Sequence, residues 1–195
     1  AMKILAIRLK NLASLAGPFE LDFTAEPLAS AGLFAITGPT GAGKSTLLDA
    51  LCLALFGAVP RLNNTGRDAK VPDVDGEIAT GDPRTLLRRG TGEGYAEVDF
   101  LCIDGRRYRA RWEANRAREQ ATGRLQARRE SLRDLDSDQV LASQKGDYKV
   151  QLEARLGLNF EQFTRAVMLA QSEFSAFLKA DDNERSELLE KLTDT

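Results

Sequence analysis

Histidine is absent from this chain, and cysteine occurs only twice. Without an imidazole there is no histidine general base, no Ser-His triad and no histidine metal ligand. Cys52 and Cys102 lie inside apolar runs, which predicts buried thiols rather than a disulfide or a metal site. The most apolar stretch, residues 47–59, is interrupted by Asp49 and is too short to span a bilayer. The histidine-dependent classes of enzyme are therefore excluded, and no membrane span is expected.

An excess of either charge is also missing. The 195 residues include 27 Lys and Arg against 29 Asp and Glu, which gives a net charge of −2. This balance argues against a uniformly basic nucleic-acid binder and leaves room for a local basic surface. With 43% apolar and 29% charged residues, the composition is that of an ordinary globular domain. The alternating, charged start of the chain is not typical of a secretory leader, so we expect a cytoplasmic location.

A glycine-rich motif begins at Gly38 and ends at Ser45. Its spacing, G-x-x-x-x-G-K-[ST], is that of the phosphate-binding P-loop, also called Walker A. A buried strand is predicted over 32–37 and an apolar helix over 45–56, and these flanks favour a P-loop over a glycine-rich turn before a core helix. Glycines let backbone N–H groups close around a phosphate, and the helix N-terminus adds partial positive charge. The motif predicts a nucleoside triphosphate site made of Gly38, Pro39, Thr40, Gly41, Ala42, Gly43, Lys44, Ser45 and Thr46.

Two side chains of this motif carry the expected chemistry. Lys44 can reach the β- and γ-phosphates, and the Ser45 hydroxyl can complete the coordination shell of a Mg²⁺ ion. We therefore expect ATP and Mg²⁺ as cofactors, with Lys44 as a catalytic residue and Ser45 as a metal ligand.

The remaining elements follow from periodicity and turn residues. Strands are predicted over 3–10 and 18–24 as a hairpin, and residues 61–94 read as a long breaker-rich loop. Two further strands, 95–103 and 106–112, flank Asp104-Gly105, a dipeptide typical of a type I′ turn, and a third is expected over 125–135. Helices are predicted from Lys145 to Gly157, from Phe160 onward, and from Glu184 to Leu192.

A P-loop ATPase also needs a Walker B carboxylate at the end of an apolar strand. The segment that ends at Asp104 imitates one, but Gly105 and an arginine-rich strand follow it, which favours a hairpin turn. A D-x-x-G match that starts at Asp73 lacks the N-K-x-D partner of G proteins. The sequence thus holds part of an active site, and the alternative is a self-contained small P-loop kinase or NTPase that uses Asp104.

Four stretches together resemble the start of the SbcC family, the SMC-like ATPases that act with SbcD nucleases in bacterial DNA repair. They are the opening residues 2–15, the P-loop block 32–55, Pro60-Arg-Leu, and residues 163–178 around Gln171. The resemblance covers nearly the whole chain and is weakest over 61–94 and the arginine-rich strands. It makes an ABC transporter ATPase an unfavourable alternative, because the Q-loop of those proteins lies much closer to the P-loop than Gln171 does.

The resemblance implies an α/β fold, a P-loop NTPase of ABC-ATPase type. The chain would be the N-terminal lobe, with a mixed sheet, an antiparallel β section and a helical tail. Residues 1–180 would form this lobe of the ATPase head, and residues 181–195 would begin a coiled-coil helix. Gln171 would be the Q-loop glutamine, a catalytic residue and second Mg²⁺ ligand. Asn11 and Ser14 would lie in the loop near the nucleotide base, where archaeal and eukaryotic relatives have an arginine in place of Ala13.

The implied function is that of a composite ATPase. The C-terminal lobe of the same protein would supply the signature motif and Walker B, and two heads would sandwich ATP in a homodimer. ATP-driven engagement would then gate an SbcD-type nuclease at double-stranded DNA ends and hairpins, in the cytoplasm and associated with the nucleoid. A nucleotide-dependent DNA-binding or scaffold module is the alternative that involves no catalysis.

Nine arginines fall within the 24 residues from Arg106 to Arg129. Arg107, Arg109 and Arg111 share one face of their strand, because alternate residues of a strand point the same way. Such a stripe can follow DNA phosphates. It can equally be a solvated face balanced by acidic residues of neighbouring strands, and that interpretation is slightly favoured.

Overall fold

A computed structural model describes residues 3–24, 42–63, 69–74, 76–102, 104–157 and 159–163. Eight strands and three helices are bounded within these ranges. The strands are β1 (Lys3–Lys10), β2 (Phe19–Asp22), β3 (Lys70–Asp73), β4 (Gly76–Ala79), β5 (Glu93–Leu101), β6 (Arg107–Asn115), β7 (Arg129–Asp134) and β8 (Gln139–Ala142). The helices are α1 (Ala42–Phe56), α2 (Pro60–Asn63) and α3 (Lys145–Leu156), with short 3₁₀ turns at Pro83–Leu86 and Ala117–Glu119.

Six strands form one antiparallel sheet in the order β2-β1-β5-β6-β7-β8. The register places Ile7 opposite Val98, Val98 opposite Ala110, and Ala110 opposite Leu132. These four side chains therefore line one face of the sheet, and all are buried. The intervening residues, most of them charged, line the opposite face, which is the alternation expected of a sheet with one covered side.

Helix α1 packs on the apolar face, against β1, β5 and β6. Its last two turns are buried on every side, because Leu51, Leu53 and Leu55 lie on different faces of the helix and none is exposed. The helix ends at Gly57, whose φ is 65° and whose N–H donates to the Leu53 carbonyl at 2.8 Å. The predicted helix and its glycine stop are confirmed.

Helix α3 covers the β7–β8 end of the same face. Tyr148, Leu152 and Leu156 form its buried stripe, and Gly157 ends it at a φ of 67°. The hydroxyl of Tyr148 donates to the carbonyl of Ala54, in the last turn of α1. This bond satisfies a carbonyl that has no partner within its own helix, so it joins the two helices at a helix end.

The structure corrects three expectations. The 61–94 segment is not one long loop, since it contains the β3–β4 hairpin and the first 3₁₀ turn. The β5–β6 turn is not the two-residue type I′ turn: Cys102 N–H donates to the Arg106 carbonyl at 2.9 Å, so more than two residues separate this hydrogen-bonded pair, and Gly105 has a φ of 82°. The third strand is shorter than predicted, and β8, which pairs with it, was not predicted.

Other predicted elements lie outside the described residues. They include the strand before the P-loop, the first half of the P-loop itself, Gln171 and the final helix. Residues 160–163 are helical, and Asn159 and Gln162 exchange side chain–backbone hydrogen bonds of 2.9 Å, a capping box that starts this helix. Within the described ranges, no helix is both long and apolar enough to cross a membrane.

We expect Gly92→Ala to destabilise the chain. A Cβ at Gly92 would lie 1.9 Å from the carbonyl oxygen of Glu119, so the backbone must move to admit a methyl group. The expected loss is about 1–3 kcal/mol of unfolding free energy, measured by urea titration. Gly146→Ala is the control, because its Cβ meets nothing within 4 Å and stability should be unchanged or slightly higher. Equal stability of the two variants would contradict the close approach.

We expect Tyr148→Phe to cost about 1–2 kcal/mol of unfolding free energy, because the buried Ala54 carbonyl loses its donor while the ring packing is kept. Tyr95→Phe removes a hydroxyl from a ring that stacks on the Arg111 guanidinium at 4.1 Å, and it should change stability little. Urea unfolding of both variants makes the comparison, and an equally stable Tyr148→Phe variant would rule out the helix–helix bond as a stabilising contact.

Candidate functional site

The P-loop motif and the start of helix α1 coincide. The helix begins at Ala42, so Gly43, Lys44 and Ser45 form its first turn, where backbone N–H groups have no partner within the helix. A helix N-terminus carries partial positive charge and presents these donors to an anion. Gly38, Pro39, Thr40 and Gly41 lie outside the described residues. Thr46, the last residue of the predicted site, is buried with an exposed fraction of 3%.

The loop between β1 and β2 contains the two predicted base-side residues, Asn11 and Ser14. Asn11 adopts a φ of 51°, and its N–H donates to the Ala16 carbonyl at 2.8 Å. The Asn11 side-chain amide donates to the Glu93 carbonyl at 2.9 Å, so this residue also fastens the loop to β5. Ser14 is exposed on the same loop. Asn11 and Ser14 thus lie on the same loop, and their contact with nucleotide stays a prediction.

A second segment, residues 86–94, holds this loop in place. Ala13 N–H donates to the Leu86 carbonyl at 2.7 Å, and Arg88 N–H donates to the Asn11 carbonyl at 2.8 Å. Gly94 lies beneath the loop, where a Cβ would come within 2.8 Å of the Asn11 carbonyl oxygen. The sequence did not reveal this support, because the breaker residues of 61–94 suggested a loop with no partner.

Asp104 belongs to the β5–β6 turn. Its carboxylate accepts the Arg106 N–H at 2.9 Å and the Tyr108 hydroxyl at 3.0 Å, and the residue is exposed. Asp134 ends β7 and is buried, but its carboxylate accepts the N–H groups of Asp136 and Ser137 and pairs with Arg106 at 2.8 Å. Both carboxylates therefore serve local structure, which agrees with Asp104 as a turn residue.

The arginine stripe of β6 lies on the charged face of the sheet and is paired with acids. Arg109 binds Asp99 through two hydrogen bonds, of 2.7 and 3.0 Å. Arg111 pairs with Glu97 at 2.9 Å and with Glu113 at 2.6 Å. These pairs support the balanced face, in which acidic residues of neighbouring strands neutralise the stripe.

Arg8 of β1 completes this network and was not predicted as part of it. It pairs with Glu20, Glu97 and Asp99 at 3.1, 2.9 and 2.9 Å. Glu97 and Asp99 are buried beneath their arginine partners although they lie on the outer face. Burial alone would raise the pKa of Asp99, but hydrogen bonds from Arg109 and Arg8 outweigh it and hold the pKa below its usual range. The alternation of residues 3–10 placed Arg8 on this face without identifying its partners.

Metal ligation by cysteine is not supported. Cys52 and Cys102 are buried and free, and burial raises the pKa of the Cys52 thiol to about 12, so the thiolate that binds metals is not formed near neutral pH. Within the part of the chain that the structure describes, no group of three or more Cys, Asp or Glu residues could hold a metal ion. Of the predicted Mg²⁺ ligands, Ser45 lies in the first turn of α1 and Gln171 lies outside the described residues.

Comparison with known proteins supports the same interpretation. The sequence profile of the AAA domain family matches residues 6–195. Over all 195 residues the chain is 69% identical to the SbcC component of the nuclease SbcCD from Pseudomonas aeruginosa and 54% identical to its counterpart from Rhodobacter capsulatus. It is 30% identical over 188 residues to a probable DNA double-strand break repair Rad50 ATPase from Aquifex aeolicus.

These alignments include 100%, 100% and 96% of this chain, but only 16% of each relative, so the chain spans about a sixth of their length. The fold that the motif and the resemblance predicted, an α/β P-loop NTPase, agrees with the matched profile and with the antiparallel sheet. The chain therefore belongs to the AAA domain family, and its resemblance to the SbcC proteins is confirmed along its whole length.

Proposed function

We propose that this chain is the ATP-binding half of an SMC-like ATPase head that regulates a DNA-repair nuclease. One observation carries the proposal: helix α1 begins at Ala42, inside the P-loop motif, in a chain that matches SbcC proteins over its whole length. The N–H groups of the first turn and the positive helix end are the features that bind a triphosphate. The residue types of the motif, a lysine and a serine after the glycines, are those that bind Mg-ATP.

The chemistry assigned to this half is binding and orientation. Lys44 would neutralise charge on the β- and γ-phosphates, the Ser45 hydroxyl and the Gln171 amide would hold Mg²⁺, and Gln171 would orient the attacking water. The bound metal would neutralise charge that develops on the phosphate oxygens. Asn11 and Ser14 would position the base from the β1–β2 loop. Each role follows from the motif or from the family resemblance.

The general base is assigned to another part of the protein. Two carboxylates lie at strand ends: Asp104 follows β5, and Asp134 is the last residue of β7. Asp104 is held in a turn, and Asp134 forms an ion pair with Arg106. We infer that the protein's C-terminal lobe supplies Walker B and the signature motif, and that two heads sandwich ATP in a homodimer. Residues 1–180 would form the lobe, and residues 181–195 would start the coiled coil.

Engagement of the two heads would gate an SbcD-type nuclease that processes double-stranded DNA ends and hairpins. The names of the relatives, which describe components of SbcCD nucleases and a probable Rad50 ATPase of DNA double-strand break repair, support the link to a nuclease. The gating and the DNA substrates follow from the family resemblance. The proposal places the protein in the cytoplasm, associated with the nucleoid and not with a membrane.

We expect the chain alone to hydrolyse Mg-ATP no faster than its Lys44→Ala variant, and mixing with the C-terminal lobe to restore turnover. The physical reason is that activation of water needs a carboxylate, which we assign to the C-terminal lobe. Steady-state phosphate release measures both reactions. Lys44→Ala in the mixture is the control, and it should lower kcat at least about 100-fold, because it removes charge stabilisation from the transferred phosphate. Robust turnover by the chain alone would contradict the composite site.

We expect Asp104→Asn to leave ATP turnover of the reconstituted head within about twofold of the native value, since Asp104 is a turn residue that keeps its geometry as an amide. The same substitution in a self-contained NTPase would remove the Walker B carboxylate and abolish hydrolysis. Phosphate release by the native head and by its Asp104→Asn variant, compared at saturating Mg-ATP, distinguishes the composite site from a self-contained one.

A further inference from the structure

A cleft of about 720 Å³ lies beneath the β3–β4 hairpin. Its other walls come from the 3₁₀ segment that starts at Pro83 and from the connection between β6 and β7. Strands β3 and β4 pack mainly on each other, so the hairpin stands away from the six-stranded sheet. The volume lies within the range of about 300–1,000 Å³ that is typical of small-molecule sites.

The charged lining of this cleft is mostly cationic. Arg84, Arg89 and Arg116 line it, and Asp73 is the one acid among its described lining residues. Arg116 pairs with Asp73 at 2.9 Å and donates to the Gly123 carbonyl at 3.1 Å. These contacts fasten the hairpin to the β6–β7 connection, and they hold the Arg116 guanidinium, with a side-chain exposed fraction of 15%, in one position.

The other two arginines differ in how they are held. Arg84 is fixed by Asp82 at 2.8 Å and by the Gln126 carbonyl at 3.1 Å. A guanidinium has five N–H donors, so Arg84 and Arg116 each keep donors beyond these contacts. Arg89 is exposed at the rim and forms no ion pair or side-chain hydrogen bond with any residue that the structure describes. Its charge is not needed to hold the hairpin.

Much of the remaining lining is aliphatic, beside the hydroxyl groups of Thr80 and Thr85. Val71 and Ile78 face the cleft from the hairpin, and Leu87 and Leu125 face it from the opposite side. No aromatic ring lines it among the described residues, so the site offers no stacking platform for a base. Such a lining suits a compact apolar body beside anionic groups.

We propose that this cleft binds a small organic anion, one that carries a phosphate or carboxylate group on an apolar body. Arg89 captures the anionic group, and the fixed guanidinium groups of Arg84 and Arg116 receive it with little loss of side-chain entropy. The forked N–H groups of arginine match the oxygens of both phosphate and carboxylate. The aliphatic walls cover the rest of the ligand.

The cleft is also connected to the β1–β2 loop. The segment that lines it, residues 84–90, carries the Leu86 carbonyl and the Arg88 N–H that hold Ala13 and Asn11. A ligand that orders this segment therefore also orders the β1–β2 loop. This coupling affects ATP binding only if the proposed role of Asn11 and Ser14 is correct. Binding at the cleft does not depend on that role.

The test is hydrogen–deuterium exchange on the full-length protein with its P-loop saturated with Mg-ADP, so that the probes do not compete for that site. The probes are inorganic phosphate, phenyl phosphate and benzoate, titrated to about 20 mM. Phenyl phosphate or benzoate should protect peptides that cover 69–90 and 116–126, and the apolar body should tighten binding at least about fivefold over inorganic phosphate. Protection by phenyl phosphate alone identifies a phosphorylated ligand, and stronger protection by benzoate identifies a carboxylate.

Two substitutions separate binding from hairpin support. Arg89→Gln should weaken protection about tenfold and leave the unliganded exchange pattern unchanged, because Arg89 holds no part of the fold. Arg129→Gln, which removes an exposed arginine that does not line the cleft, should bind as the native protein does. Absence of protection in the cleft peptides by every probe, or equal binding by Arg89→Gln, would overturn the proposal. If a probe binds the cleft but leaves ATP turnover unchanged, that result would instead count against the proposed role of the β1–β2 loop.

Discussion

The burial of helix α1 against the sheet is the contact on which the rest of the structure depends. Leu51, Leu53 and Leu55 have no exposed surface, so the helix can exist only where other elements cover it on all sides. Strands β1, β5 and β6 cover one side, and Tyr148 of α3 closes the carboxyl end. Because the same helix begins inside the P-loop motif, the core that buries its second half also holds its first turn in position. Packing thus orients the N–H groups that the proposed nucleotide site requires.

The two faces of the six-stranded sheet are stabilised in different ways. The inner face buries apolar side chains, whereas the outer face joins charges across four strands through Arg8, Arg109 and Arg111. Glu97 and Asp99 are covered by these arginines, and isolated carboxylates would not tolerate that burial. The hydrogen bonds that lower the pKa of Asp99 keep the network ionised. A stripe that the sequence presents as a cationic surface is therefore largely neutralised within the fold, and unpaired arginine charge is found elsewhere, at the rim of the cleft beneath the β3–β4 hairpin.

Much of the fold could be predicted from the sequence, and the reasons are local. The period of residues 45–56, followed by Gly57, predicts α1 because helix periodicity and a left-handed stop are properties of a short segment. The hairpins β1–β2 and β5–β6 follow from alternation on either side of turn residues. The β3–β4 hairpin was missed because its four-residue strands are mostly exposed and carry no apolar alternation. The candidate site divides in the same way. The P-loop is a contiguous motif, whereas the support of the β1–β2 loop by Leu86, Arg88 and Gly94 joins residues that are about 80 positions apart.

By itself, the sequence determined the P-loop, the helix that follows it, the absence of histidine chemistry and the family resemblance. These conclusions depend on which residue types are present and on their short spacings along the chain. Both are fixed before any residue meets its neighbours in the fold. The sequence favoured Asp104 as a turn residue and acidic partners for the arginines of β6, but the tertiary structure decided both points by identifying the partners. Only the tertiary structure shows that a cleft with a mostly cationic charged lining lies under the hairpin. The physical reason is that the state of a charge depends on which groups lie within a few ångströms of it, and those groups come from strands that are distant in the sequence.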